Sequence, residues 1–106
     1  MQIAISDDGP VATVTMVGRL DISGAEVVAM PLATLSGSKS ALFVDMAGVT
    51  FVASLGLRQL VAAAKAMARR GARFVLLNPN ELVTEVITMT GLADLLPIER
   101  RGASAN

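Results

Sequence analysis

The chain has 106 residues, 53% of them hydrophobic, and its nine Lys and Arg residues balance nine Asp and Glu residues. This length fits one domain, which buries roughly 60 to 70% of the surface of its unfolded chain and needs no metal or disulfide to fold. The chain contains no Cys, His, Tyr or Trp, which excludes thiol nucleophiles, the usual zinc ligands and a Ser-His-Asp triad, and argues against a nucleic-acid surface built on stacked bases.

The N-terminal ten residues, MQIAISDDGP, contain neither the basic region nor the apolar core of a secretory signal. Along the rest of the chain, no apolar run reaches the roughly 18 residues that a membrane span needs. The sequence therefore predicts a soluble, cytoplasmic protein without direct membrane insertion. The absence of Cys is compatible with a reducing compartment.

Hydrophobic periodicity predicts strands and helices that alternate along the chain. In chain order we predict strands at residues 2–6 and 11–17, a helix at 23–35, a strand at 41–46, a loop at 47–53, a helix at 54–70, a strand at 73–77, a helix from 78 to about 90, and a short edge strand within 92–99. This order favours an α/β fold with a mixed sheet of four to five strands, parallel in the centre, an N-terminal antiparallel hairpin and helices packed against it. Residues 1–99 form the single predicted domain, and residues 100–106 a disordered tail.

Short signals mark the predicted helix ends. Ser23 and Glu26 have the spacing of a capping box, so Ser23 is expected to cap the first helix, which Pro31 should kink or restart. Asn78 and Pro79 are expected to supply the cap and the first residue of the third helix.

Apolar stripes indicate the core. The near-continuous apolar strand at 41–46 is expected to be covered on both faces. The second helix presents one apolar stripe, made of Leu57, Leu60, Val61, Ala64 and Met67. The third helix is expected to turn inward Leu82, Val83, Val86, Ile87 and Met89. The residues interpreted as core filler are Met16, Met30, Met46, Met67 and Met89.

Several segments carry a resemblance to a known family. GRLD at 18–21 precedes the first helix, ALFVDMAGVTFVASLGLRQLV covers 41–61, RFVLLNPN covers 73–80, and TGL follows the third helix. With these segments the chain resembles the STAS domain (sulfate transporter and anti-sigma factor antagonist) over nearly its whole length. The most specific piece is the loop and helix start at 48–57, where the family commonly has Asp-Ser-Ser-Gly and a partner protein kinase phosphorylates the first Ser.

Phe51 and Gly56-Leu57 fix the frame of this motif, so the phosphorylatable Ser falls on Ser54, while Ala53 and Leu55 occupy the family's Asp and second Ser positions. The resemblance implies a free-standing anti-sigma factor antagonist-like protein, without enzymatic activity, cofactor or metal. Unphosphorylated, such a protein binds a serine protein kinase that is also an anti-sigma factor. Phosphorylation releases it, and a PP2C-like phosphatase is the second implied partner.

Two acidic residues have a structural and a functional interpretation. The resemblance places Asp21 near the phosphorylatable loop, and with Ser23 as the cap its carboxylate has no obvious local role, although a helix cap stays open. Asp45 ends a buried strand and either accepts hydrogen bonds from loop N–H groups, which is the favoured interpretation, or belongs to the same surface as Asp21.

The other predicted partner-binding residues surround Ser54, whose hydroxyl is itself placed to cap the second helix. Val52 and Leu55 flank that hydroxyl, and at least one of them is expected to face solvent, with burial of both as the alternative. Gly56 permits a close backbone approach. Arg58 lies one turn beyond Ser54, where it can pair with a phosphate or a partner carboxylate or remain solvated.

Two other function classes stay open at this stage. One is a non-phosphorylated STAS subunit of a membrane transport complex, which the departures at Ala53 and Leu55 leave room for. The other is a hydrolase that uses Asp21 and Asp45, the weakest option because no His and no glycine-rich phosphate loop accompany them.

Overall fold

The computed structural model describes residues 1–101. In chain order its elements are β1 (Gln2–Asp8), β2 (Val11–Leu20), α1 (Ile22–Ser36), β3 (Ala41–Val52), α2 (Ser54–Arg69), β4 (Arg73–Leu77), α3 (Glu81–Met89) and β5 (Ile98–Glu99). The predicted alternation of strands and helices is confirmed, including the short edge strand near Pro97. The main differences lie at the element ends.

The five strands form one sheet in the order β1-β2-β3-β4-β5. β1 and β2 pair in antiparallel fashion, and each later pair is parallel, so the predicted mixed sheet is confirmed. The three parallel connections all step across the sheet in the same direction. Because such crossovers are right-handed, α1, α2 and α3 pack on the same face of the sheet.

The large hydrophobic cluster agrees with this arrangement. All three helices contribute to it, for example through Val28, Leu60 and Ile87, and they meet Val14 and Val44 of the central strands. On the opposite face, a smaller cluster contains Phe43, Val75 and Leu77 and no helical residue. There the guanidinium groups of Arg73 and Arg101 lie 5.4 and 4.6 Å from the centre of the Phe43 ring. The face of β3 that points away from the helices is therefore covered by arginine side chains.

β3 is twice as long as predicted, and the expected loop at 47–53 is wrong. The strand continues to Val52 and stays paired with β2, from Thr15↔Asp45 to Leu20↔Val52, across two irregularities in the register. The Ala-Gly pair that interrupts the apolar pattern marks a bulge in a continuing strand. Because the strand bends there instead of ending, it delivers the chain to the start of α2.

The caps of α1 and α3 also differ from the prediction. α1 is capped by Asp21, whose carboxylate accepts the Gly24 N–H at 2.9 Å, so the capping box at Ser23 is wrong. α3 is capped by Asn80, which accepts the Val83 N–H at 2.8 Å. Asn78, expected as that cap, has a left-handed φ of 53° and instead hydrogen-bonds the backbone near β5.

Helix α1 runs through Pro31 without restarting. The apolar stripe of α2 is confirmed, with Leu60 fully buried. In α3, Val83 and Ile87 are buried, but Leu82 and Met89 are 53% and 78% exposed, so their inward assignment is wrong. The two buried residues of this nine-residue helix, Val83 and Ile87, are four positions apart, so only a narrow side of the helix contacts the core and its flanks are exposed to solvent. Met30 of α1 is likewise exposed and is not core filler.

The end of the described chain is attached to the domain. Arg100 donates hydrogen bonds to the Pro79 carbonyl and to Thr84 Oγ1, and the Arg101 N–H donates to Asn78 Oδ1. The remainder of the predicted tail, residues 102–106, lies outside the described residues, so its disorder stays a prediction. No helix within residues 1–101 has the length and apolar character needed to cross a membrane.

Leu60→Ala should lower the free energy of unfolding by about 2 to 5 kcal/mol, because it opens a cavity at a fully buried position of α2. Leu82→Ala is the matched control, since it removes the same atoms from an exposed helical site. The control should change stability by about 0.5 kcal/mol or less. Urea denaturation of both variants measures the difference, and equal losses would contradict the assigned core.

Candidate functional site

Two helix N-termini lie side by side at one edge of the sheet. β2 and β3 are parallel and end in register at Leu20 and Val52, and the Ala53 N–H donates to the Leu20 carbonyl at 2.9 Å. Helix α1 follows Asp21, and α2 follows Ala53. Because neighbouring strands are about 4.8 Å apart, the first turns of both helices belong to one surface.

Glycine is required in the first turn of each helix. A Cβ atom on Gly56 would lie 2.4 Å from the Leu20 carbonyl oxygen and 2.5 Å from Leu20 Cγ. A Cβ atom on Gly24 would lie 2.3 Å from the Arg19 carbonyl oxygen. Both distances are far below van der Waals contact, so the close approach expected at Gly56 is present. These two contacts fix the helix starts against the end of β2.

Ser54 is the first residue of α2 and is exposed. The residue before it, Ala53, occupies the N-cap position with extended backbone angles, so the assignment of Ser54 as the cap is wrong. Because alanine has no hydrogen-bond acceptor in its side chain, the N-cap residue of α2 leaves the N–H groups of the first turn uncapped. Within residues 1–101, α1 and α3 by contrast both have side-chain caps.

Asp21 places a negative charge beside this first turn. The hydrogen bond from the Gly24 N–H is the main cause that holds the pKa of Asp21 below its usual value, and the Arg19 guanidinium, 3.6 Å away, lowers it further. Arg19 in turn lies 4.4 Å from the centre of the Phe51 ring. The carboxylate therefore has the helix-cap role that the sequence left open for it, and its partner-binding role stays a prediction.

The predicted partner-binding residues separate into exposed and buried ones. Leu55 is 39% exposed and Arg58 is exposed, whereas Val52 and Gly56 are buried and support the site from beneath. Next to Asp21, Ile22 is 62% exposed. We call these exposed residues, together with the half-buried Asp21, the Ser54 surface; it consists of Asp21, Ile22, Ser54, Leu55 and Arg58.

Ile22 and Arg19 were missed by the sequence analysis. The capping box assigned to Ser23 placed Ile22 before the helix, so its exposed position at the helix start was not considered. An apolar residue directly after an Asp that caps a helix is the signal that identifies it. Arg19 gave no signal of its own, because its contact with Phe51 depends on the extended pairing of β2 with β3.

Asp45 does not belong to the Ser54 surface. Its carboxylate accepts the Ala47 N–H at 3.0 Å, so the expected anchoring role is confirmed, although Asp45 and Ala47 both lie within β3 and not at a strand end. Asp45 pairs with Thr15, six residues before Asp21 in β2, which separates the two acids by about 20 Å along the strand. They therefore cannot act as a carboxylate pair. Within residues 1–101, no group of three or more His, Cys, Asp or Glu is placed to hold a metal ion.

Comparisons with known proteins place this geometry in context. A family model described as the STAS domain matches residues 2–105. Among curated proteins, no sequence matches the chain.

Solved structures match over almost the whole fold. A putative anti-sigma factor antagonist from Thermotoga maritima is 21% identical, with a TM-score of 0.84 over 97% of this chain and 89% of that chain. An anti-sigma factor antagonist from Mycobacterium paratuberculosis is 24% identical, with a TM-score of 0.81 over 92% and 83%. The Bacillus cell fate determinant SpoIIAA in its phosphorylated form is 16% identical, with a TM-score of 0.78 over 98% and 95%. At these identities the likeness concerns the fold.

Gly56→Ala should destabilise the domain by about 1 to 3 kcal/mol, because the added carbon forces α2 away from Leu20. Gly37→Ala, at the other end of α1, is the control, since its new carbon would lie at an ordinary 3.5 Å from the nearest atom. The control should stay within about 0.5 kcal/mol of the unmodified protein. Urea denaturation measures both, and a neutral Gly56→Ala would show that the contact is not tight.

The lowered pKa of Asp21 predicts a specific pH dependence of stability. Its ionised form stabilises the fold fully above the unfolded-state pKa of about 3.9, and that contribution is lost as the pH falls through the lower folded-state value. Asp21→Asn retains an acceptor oxygen for the Gly24 N–H but cannot titrate. The stability difference between the two proteins should therefore shrink below about pH 4, as urea denaturation across the acid range would measure. A constant difference would contradict the assignment.

Proposed function

The chain belongs to the STAS domain family, and from this premise we propose that it is a cytoplasmic anti-sigma factor antagonist of a partner-switching signalling pathway that regulates transcription. In its unphosphorylated form it binds a serine protein kinase that acts as an anti-sigma factor. Phosphorylation of Ser54 releases it, and a PP2C-like phosphatase restores the binding form. The protein itself has no catalytic role in this cycle.

One observation carries the proposal: an exposed serine opens a helix whose N-cap residue is an alanine, and an exposed apolar residue, Leu55, follows it directly. A kinase can reach the hydroxyl without unfolding any element. Leu55 follows Ser54 in the chain, Ile22 is exposed at the start of α1, and both offer apolar contacts to a bound partner. These features support both parts of the proposed cycle, which are binding before modification and access for the modifying enzyme.

A phosphate on Ser54 is compatible with the fold. It would meet the uncapped N–H groups of the first turn and the positive end of the α2 dipole. Arg58 is exposed four residues later, at the spacing at which side chains pair along a helix. The phosphorylated protein is therefore expected to keep its structure.

The same phosphate is unfavourable for binding. It adds roughly 1.5 to 2 negative charges to a surface that already holds the ionised Asp21 carboxylate and two apolar side chains. A partner surface that fits the neutral hydroxyl would have to desolvate this charge. Because 1.4 kcal/mol corresponds to a tenfold change in affinity, a penalty of a few kcal/mol ejects the partner while the domain stays folded.

Two residues of this site, Ala53 and Leu55, differ from the family motif. Ala53 stands where the family commonly has Asp, and it removes a carboxylate that would otherwise adjoin Ser54 and cap the helix. Leu55 replaces the second Ser and adds an exposed apolar contact. The partner kinase must therefore accept a serine flanked by Ala and Leu.

The same departures favour the second candidate function, a non-phosphorylated STAS subunit of a membrane transport complex. Neighbouring genes discriminate between the two functions. A serine kinase and a PP2C-like phosphatase support the partner switch, whereas an ABC permease and its ATPase support the transport subunit.

Incubation with ATP and each candidate serine kinase of the same genome should add one phosphate at Ser54, as intact mass and peptide mapping would show. Ser54→Ala should keep kinase binding and change stability by about 0.5 kcal/mol or less, because the side chain is exposed and is not the cap. Ser54→Asp should remain folded but bind more weakly, with a partial effect because Asp carries about half the charge of phosphoserine. Titration calorimetry beside urea denaturation measures both properties.

Ser6→Asp is the matched control, since it adds the same charge to an exposed serine of β1, the edge strand. It should leave kinase affinity unchanged. Phosphate on Ser36, Ser38 or Ser40 with Ser54 unmodified would refute the site. Unchanged binding by both Ser54→Asp and the phosphorylated protein would exclude the partner switch in favour of the transport subunit.

A further inference from the structure

The exposed side of α2 carries one row of positive charge. Arg58, Lys65 and Arg69 are all exposed, and at 100° per residue they lie within about 40° of one another around the helix. The helix contains no acidic residue. None of the four ion pairs found within residues 1–101 includes these three cations. In a chain of zero formal net charge, this row is a local concentration of unneutralised charge.

The exposed side of α3 has the opposite charge and more apolar surface. Glu81 and Glu85 are exposed and take no part in those ion pairs. Leu82 and Met89 are among the most exposed large apolar side chains of the protein. All four lie within about 100° of the helix circumference, so α3 presents an acidic and apolar side to solvent.

The two helices match in spacing. Lys65 and Arg69 are four residues apart on α2, as are Glu81 and Glu85 on α3, so each pair spans about 6 Å along its axis. When the helices are antiparallel, Lys65 faces Glu85 and Arg69 faces Glu81. The apolar residues of α3 follow its acidic residues in the same rotational sense as the α1-facing side of α2 follows its cationic row. Only the antiparallel arrangement therefore places the apolar residues of α3 on the side of α2 that faces α1.

A groove lies on that side of α2. It measures about 220 Å³, and small side chains from α1 and α2 line it, among them Ala29, Ala33, Ala62 and Ala66. A groove with alanine walls leaves room for large side chains of another helix. Leu82 and Met89 are the large side chains that α3 presents next to its acids.

We propose that a second copy of this chain occupies the α1–α2 groove, with its α3 antiparallel to α2. Both helices lie on the helical face of the sheet, and when the contact forms twice about a two-fold axis it closes into a dimer. Arg58 and the Ser54 surface lie beyond the paired segment at the N-terminal end of α2. The dimer is therefore independent of the proposed kinase cycle, and either proposal can fail alone.

An anionic membrane or a nucleic acid fits this surface less well. Polybasic membrane sites use clusters of about four to eight cations, whereas three lie here, beside a groove of alanines. No aromatic residue lies within α2 for base stacking. A helix with two acids and two large apolar residues matches the charge, the spacing and the groove together.

Charge reversal in complementary pairs tests the proposal by sedimentation velocity over a concentration series. The unmodified protein should dimerise reversibly, and K65E/R69E and E81K/E85K should each weaken dimerisation about tenfold or more through like-charge contacts. Mixing these two variants should restore a dimer, because every contact becomes attractive again. Dimerisation should weaken between about 0.1 and 1 M salt, where the Debye length falls from about 10 to 3 Å.

R73E/R101E controls for net charge, since it makes the same change as K65E/R69E on the opposite face of the sheet. Circular dichroism checks that it folds without the arginine cover of Phe43, and the folded variant should dimerise normally. Its mixture with E81K/E85K should associate more weakly than the restoring mixture of equal net charges. Leu82→Ala with Met89→Ala keeps every charge and should also weaken the dimer, with folding checked by circular dichroism. A monomer at all concentrations, a dimer insensitive to these changes, or binding through Lys65 and Arg69 only to phosphatidylserine vesicles or single-stranded DNA would overturn the proposal.

Discussion

The close contact between Gly56 and Leu20 determines the geometry of the Ser54 surface. Leu20 is fully buried, its carbonyl accepts the Ala53 N–H, and its side chain leaves no room for a carbon beyond Cα at Gly56. Because Gly24 makes an equally tight approach to Arg19, the two helices start against neighbouring residues at the end of β2. The position of Ser54 is thus set by backbone contacts that no surface substitution alters.

This construction separates stability from recognition. The buried residues Val52 and Gly56 hold the first turn of α2, while the exposed residues Ser54 and Leu55 contribute little packing to the core. A charge added at the exposed positions changes what a partner meets, because the supporting contacts lie on the other side of the turn. A site built this way can change its charge repeatedly without risk to a small core.

Periodicity predicted the order and type of most elements because the helices and the central strands β2, β3 and β4 each bury an apolar pattern. Predictions at the element ends were wrong where several tertiary contacts compete with a local signal. Ser23 has good capping-box spacing, but the tight packing of Gly24 on Arg19 starts the helix earlier and makes Asp21 the cap. Asn78 has the composition of a cap, yet its bonds to the β5 region exist only in the folded sheet.

For the candidate site, the motif frame identified Ser54, Leu55 and Arg58, all of which are exposed. The contact of Arg19 with the Phe51 ring could not be predicted, since it depends on the parallel pairing of two strands separated by a whole helix. A contact between two residues that are far apart in the sequence produces no hydrophobic periodicity from which it could be predicted.

The strand order of the sheet also bears on how the protein folds. Each strand pairs with the strand before it in the chain, so every pairing closes a segment no longer than one helix and its turns. Short closures keep the relative contact order low for a sheet that is mostly parallel, and low contact order accompanies fast folding. We expect the chain to fold by addition from the N-terminal hairpin, with the two-residue strand β5 joining last and opening first.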